Sequence, residues 1–250
     1  MIFQRRDMQT FNAVRFKGPG NMTISQAESR SLIIHGHEAH LEKIRSEVVD
    51  GVLEIGYFPD SIVSLDMLRQ QISYELKLND LQKIDSIGSG NLDIPDLDVD
   101  TLCVKMEGSG NVSMGNLTAD KLEIQLNGSG EAVIAGDVEA QTIQLNGSGK
   151  YHAEALVSDF AAVSLTGSGS AKLSVSEDLQ VKISGSGNVT YDGYPDVTRN
   201  ISGSGKLSRK RRQTKSNSRS EEHGSFLVGR DGHCNHCCYL QWDFSDYQGK

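Results

Sequence analysis

The run Asn91-Leu92-Asp93-Ile94-Pro95-Asp96-Leu97-Asp98-Val99-Asp100 places four carboxylates within ten residues. Oxygen donors at that density suit a calcium ion. Further acids follow at Asp120, Glu123, Asp137 and Glu139. Carboxylates brought to one point are also what acid–base cleavage of a polysaccharide requires. Near the C-terminus, His233, Cys234, His236, Cys237 and Cys238 offer thiolate and imidazole ligands for zinc, but no second Cys-x-x-Cys pair follows. His35, His37 and His40 stand close together without a partnered serine or cysteine, and read as surface histidines. No phosphate loop or dinucleotide fingerprint is present. None of these groups acts unless the fold gathers it, so the elements that carry them decide the matter.

Those elements repeat. Gly-Ser-Gly triplets occur at Gly88-Ser89-Gly90, Gly108-Ser109-Gly110, Gly128-Ser129-Gly130, Gly147-Ser148-Gly149, Gly167-Ser168-Gly169, Gly185-Ser186-Gly187 and Gly203-Ser204-Gly205, spaced 18 to 20 residues apart. These fourteen glycines are read as structural turn residues, because glycine accepts positive φ and lets neighbouring backbones approach. Before the triplets, apolar residues recur at every second position: Leu102, Val104 and Met106, then Leu122, Ile124 and Leu126, then Leu179, Val181 and Ile183. Gln141 and Arg199 break the series. After the triplets come shorter alternating runs such as Leu92 and Ile94, or Val112 and Met114. Period two marks strands with one buried face.

A hairpin of this size cannot bury that face alone, so the units must stack. The expected fold is all-β: a parallel β-helix, or solenoid, with coils of 18–20 residues. A sandwich would show strands 8–12 residues apart with varied turns. Residues 1–80 read as an irregular N-terminal lobe with a short helix. In it, Gly18-Pro19-Gly20-Asn21-Met22-Thr23-Ile24 parallels Gly108-Ser109-Gly110-Asn111-Val112-Ser113-Met114. Leu41, Ile44 and Val48 fall at helical spacing over His40–Val49. Residues 81–207 form the regular array, entered through Ile72–Leu78 and Leu81–Ile87. Residues 208–250 form a tail expected to be disordered, basic at first and then Cys/His-containing. Cys103 reads as a small core residue.

On this scaffold the acids scatter. The station of Asp93 becomes Ser113, Val133, His152, Lys172 and Thr190 in later coils, which excludes a repeating calcium roll. No station is expected to carry an acid on more than two coils running. Neither a catalytic residue nor a metal site is therefore assigned, and no cofactor. The polar stations after the triplets, among them Asn91 and Asn111, suit a glycan, with Tyr151, Tyr191 and Tyr194 as stacking platforms or coil-end core aromatics.

The net charge of −8 disfavours nucleic acid as a partner of the folded part. The basic run from Lys206 to Arg219 is a local exception and reads as a solvated tail. No apolar stretch of about 20 residues exists to span a membrane. The start, Met1-Ile2-Phe3-Gln4-Arg5-Arg6-Asp7, has no apolar signal core, so this chain carries no recognisable signal peptide and a cytoplasmic location stays open.

The chain resembles the head GIN domain of the putative autotransporter adhesins, a bacterial group. The resemblance runs from about Phe11 to Leu207. It rests on Val14-Arg15-Phe16-Lys17-Gly18-Pro19-Gly20, Asp50-Gly51-Val52-Leu53-Glu54-Ile55, Leu81-Gln82-Lys83-Ile84, the serial triplets, and the closing Val189-Thr190-Tyr191-Asp192-Gly193-Tyr194-Pro195. It implies a right-handed parallel β-helix in an exported or envelope-anchored protein, and a role in adhesion. No catalytic residues come with it. The function expected is a non-enzymatic binding or adhesion module whose partner is an extracellular glycan or a surface protein. A self-assembling structural solenoid, hence an oligomer, is the alternative, and a carbohydrate-active β-helix enzyme the third reading.

Overall fold

The computed structural model describes residues 2–6, 8–58 and 71–210, except for the side chain of His40. The Cys/His cluster near the C-terminus and the basic run beyond Lys210 lie outside the described residues.

The array begins with β8 (Lys83–Gly88) and continues through β9 (Asn91–Gly108), β10 (Asn111–Gly128), β11 (Glu131–Gly147) and β12 (Lys150–Gly167). It closes with β13 (Ser170–Ser174), β14 (Asp178–Gly185), β15 (Asn188–Asp192), β16 (Asp196–Gly203) and β17 (Lys206–Arg209). Every pairing among these strands is parallel, and each coil lies in register on the next. The fold is a β-solenoid, as its period predicts. Alternation within a coil slips phase twice. In β9, Leu92 and Ile94 point in, then Pro95 and Asp96 both face out; Leu97 points in, then Asp100 and Thr101 both face out before Leu102, Val104 and Met106. Each slip is a corner, so a coil has three faces around one apolar interior. Burying an inward aliphatic side chain contributes about 1.5–3 kcal/mol, repeated coil after coil.

The triplets make the remaining corner. Their serine backbone N–H groups climb from coil to coil: Ser129 donates to Gly108 O and Ser148 to Gly128 O, each at 2.9 Å. Gly128 has φ of 136°, and a Cβ there would fall on the carbonyl oxygen of Gly108. The same approach recurs one layer on, where a Cβ at Gly130 would strike the oxygen of Gly110. Of the other predicted turn residues, Gly88, Gly108, Gly147, Gly167, Gly185 and Gly203 also have positive φ. Gly90, Gly110, Gly149, Gly169, Gly187 and Gly205 are packed against the preceding coil.

The N-terminal lobe comprises β1 (Ile2–Arg6), β2 (Ala13–Lys17), β3 (Asn21–Gln26), β4 (Ser31–Gly36), α1 (Glu38–Leu41), β5 (Ile44–Val49), β6 (Val52–Tyr57) and β7 (Ser73–Leu78). Its β2 and β3 form a coil that stacks directly under the array: β2 pairs with β8, and β3 places Asn21 opposite Asn91. On their other side lie β6 and β7, also parallel. Residues 72–78 therefore do not lead into the array but stack beneath the first coil. Beyond them the pairing turns antiparallel, β5 on β6, β4 on β7 and β1 on β4, closing this end with reversed strands.

The helix expected over His40–Val49 is corrected. Helix is confined to Glu38–Leu41, and Ile44–Val49 is a strand. Asp50 and Gly51 take φ of 51° and 76°, the doubly positive turn that joins two twisted strands, and Val49 faces Val52 across it. The β-branched pair Val48-Val49 suits that hairpin better than a helix. Cys103 is corrected too. It stands between inward Leu102 and Val104, so its side chain faces out.

The two breaks in the inward series have physical accounts. Gln141 is buried, but Tyr151 Oη donates to its Oε1 at 2.8 Å and its Nε2 donates to Ser158 Oγ at 2.6 Å. Ser158 in turn donates to Ser174 O at 2.9 Å. Burial pushes the Tyr151 phenol far up, so it stays a neutral donor. Removing the donor by Tyr151→Phe strands a buried amide oxygen and is expected to cost about 1–3 kcal/mol in guanidinium unfolding. Adding Gln141→Leu should restore most of that loss, since both polar partners are then gone; a double variant no more stable than the single one would refute the account. Arg199 occupies an inward station of β16, the last long strand described, where no further coil among the described residues covers it and the strand is exposed.

Candidate functional site

The outward stations decide what the surface can do. On the face formed by the segments before each triplet, one column runs Glu54, Arg15, Asp85, Lys105, Gln125, Gln144, Ser164, Lys182 and Asn200. Its first part is closed on itself. Arg15 lies 2.6 Å from Glu54 and 3.3 Å from Asp85, and Lys105 lies 2.6 Å from Glu107. The hydrogen bonds to Glu54 and then Asp85 hold the Arg15 guanidinium above its ordinary pKa. Beside it, Cys103 faces Lys83 and Glu123. Partial burial and then the Glu123 charge push its thiol up, the opposite of what a nucleophilic cysteine needs.

The later part of the face is open. Between Thr142 and Gln144 on β11 and Gln180 and Lys182 on β14, strand β12 presents Ala162 and Ser164. Small residues flanked by long ones leave a trough. It comprises two adjoining depressions of about 300 and 280 Å³ that share Thr142, Ala162 and Gln180. Phe160 and Asp178 stand at one end, Lys182 and Asn200 at the other. Among the described residues, none of Gln144, Ser164, Gln180 and Lys182 has a side-chain hydrogen bond or ion pair. Their donors and acceptors are uncommitted.

A second groove, of about 590 Å³, runs over the stations after the triplets. There the asparagines expected to suit a glycan are spent on one another. Asn91 Nδ2 donates to Asn21 Oδ1 at 3.0 Å, Asn111 Nδ2 donates to Asn91 Oδ1 at 3.1 Å, and Glu131 N donates to Asn111 Oδ1 at 3.1 Å. This is a ladder that ties coils together. The tyrosines do not line it: Tyr151 is core, Tyr191 packs against the core, and exposed Tyr194 lies 4.1 Å beneath the Arg209 guanidinium.

The register also corrects the reading of the acids. Asp100, Asp120, Glu139, Asp159 and Glu177 occupy one exposed station on five successive coils, as the flanking pairs Val99–Ala119, Ala119–Val138, Val138–Ser158 and Phe160–Asp178 require. Counting forward from a triplet hides this, because β11 is one residue short and absorbs the difference at an irregularity opposite Met114–Leu117. Counting backward from the next triplet reveals it. The column sits on a corner, and none of the five lines the trough. Among the described residues no group of three or more His, Cys, Asp or Glu side chains converges as metal ligands. His35 stands 3.0 Å from Glu75 on β7, and His37 is exposed. No helix among the described residues is long and apolar enough to cross a membrane.

A family model described as "Putative auto-transporter adhesin, head GIN domain" matches residues 10–195. No curated protein matches the chain. Among solved structures, a putative adhesin from Bacteroides fragilis superposes with a TM-score of 0.78 at 23% identity, covering 84% of this chain and 96% of its own. A protein from Parabacteroides distasonis named a putative lipid binding protein gives 0.69 at 21%, with the same coverage of 84% and 96%. A putative adhesin from Parabacteroides merdae gives 0.66 at 22%, again covering 84% and 96%. At these identities the structures share the fold.

Proposed function

Because the chain belongs to the putative auto-transporter adhesins, head GIN domain, we propose that it is a non-enzymatic binding and adhesion module of the bacterial cell envelope, exported to act on an extracellular glycan or a surface protein. The observation that carries this reading is the trough. It is a long, shallow surface floored by small side chains, on which Gln144, Ser164, Gln180 and Lys182 have no side-chain partners among the described residues, and such uncommitted groups on an open face suit binding. Catalysis on a β-helix requires acids facing a substrate seat together with groups that tune them. The five-acid column lies on an open corner instead, outside the trough, and among the described residues Asp178 is the single acid that lines it.

Self-assembly by end-to-end stacking is less favoured. Arg199 puts a charged residue at the station that Val181 fills in the preceding coil, on the last long strand among the described residues, and a charge at such a station discourages another coil from adding there.

The test is depletion of the full-length chain from solution by insoluble cell-wall and polysaccharide preparations, with sugar assayed in the supernatant. Depletion without released sugar is expected. Sugar release would overturn the non-enzymatic reading, and no depletion by any preparation would overturn adhesion to glycans.

A further inference from the structure

We propose that the trough along β12 seats an extended glycan bearing an occasional acidic group, with Phe160 stacking on a sugar ring and Lys182 holding the acid. This inference rests on the adhesion reading and assigns it a site and a ligand class.

Phe160 is the first observation. Its station is outward, and in the neighbouring coils it is filled by Lys121, Ala140, Asp178 and Asp196. An aromatic ring left 38% exposed there has no packing role that its counterparts share. It stands at the mouth of the trough, where the C–H face of a pyranose can lie on it. From Phe160 to Ser164 the strand extends about 13 Å, enough for a short run of sugars. Along that path the amides of Gln144 and Gln180 present both donors and acceptors, matching hydroxyl groups that do both.

Charge narrows the class. Lys182 lies opposite Ser164 and Asn200, with no acid at its station on either side. Phe160, four residues up the sheet, lies beside Asp178, which is followed by Asp196. A ligand charged at every residue is repelled at one end of the trough. A sparsely acidic glycan places its carboxylate at Lys182 and neutral rings over Phe160. Nucleic acid is disfavoured for the same reason. A peptide strand finds no free backbone edge at β12, the floor of the trough, which is paired with β11 on one side and β14 on the other.

The experiment uses the full-length chain and an insoluble, protein-free cell-wall polysaccharide preparation, before and after chemical reduction of its uronic carboxyls to alcohols. Phe160→Ala and Lys182→Gln are each expected to weaken retention about threefold to tenfold with unchanged melting. Carboxyl reduction should weaken the parent to a similar degree and leave Lys182→Gln unaffected. Retention of the Phe160→Ala/Lys182→Gln double variant at the parent's level would overturn the trough as the seat while leaving adhesion standing. Equal sensitivity of parent and Lys182→Gln to carboxyl reduction would overturn the acid contact. A parent that is not retained at all would overturn the adhesion reading and this inference with it.

Discussion

Leu126→Asp is expected to unfold the middle of the solenoid rather than perturb one coil. Leu126 is 2% exposed and lies in register between Met106 and Leu145. Aspartate there has no buried partner, and an unpaired buried charge is among the few single changes that cost more than about 4 kcal/mol. In a stacked array each coil depends on its neighbours, so loss of one layer removes the support of the next. Circular dichroism should show loss of strand signal on heating well before the parent, and amide exchange should accelerate across β9, β10 and β11 together. A variant melting with the parent would mean that Leu126 does not face the interior.

Gly128→Ala should be the more damaging of two matched turn substitutions, with Gly88→Ala as its reference. Both glycines have positive φ, 136° and 115°, which costs an alanine about 1–3 kcal/mol. At Gly88 a Cβ meets nothing within 4 Å, whereas at Gly128 it lands on the Gly108 carbonyl of the coil below. That overlap cannot relax by rotating a side chain, since both partners are backbone, and it adds about 1–3 kcal/mol more. Ser148 N–H bonds to Gly128 O, so displacement is passed to the next coil. Guanidinium midpoints for the two variants measure the difference. Equal losses would show that the turn conformation, and not the close stacking of triplets, makes glycine necessary.

Much of this was legible in advance, for definite reasons. Side chains at every second residue lie on one face of a strand, so Leu122, Ile124 and Leu126 announce their own burial. The parallel between Gly18–Ile24 and Gly108–Met114 announces the degenerate first coil, and Asn21 does stand opposite Asn91. Asp50-Gly51 favours the doubly positive hairpin turn, but the helical spacing of Leu41, Ile44 and Val48 competes with it, and pairing with β6 decides between them. Cys103 lies one residue out of phase with the inward stations Leu102 and Val104, so period two alone places it on the outer face. The acid column needed the right end from which to count.

What the sequence by itself determined is therefore local: strand, turn, and which side chain faces in, because backbone geometry and burial act on adjacent residues. Only the tertiary structure decided lateral matters. It placed β6 and β7 beneath a coil that precedes them in the chain, and it spent the amides of Asn91 and Asn111 on a ladder. It left those of Gln144 and Gln180 free beside the small residues of β12. These outcomes depend on which segments lie next to each other across hydrogen bonds, at separations from about one coil to 70 residues. Chain periodicity permits many such neighbours, and packing selects one.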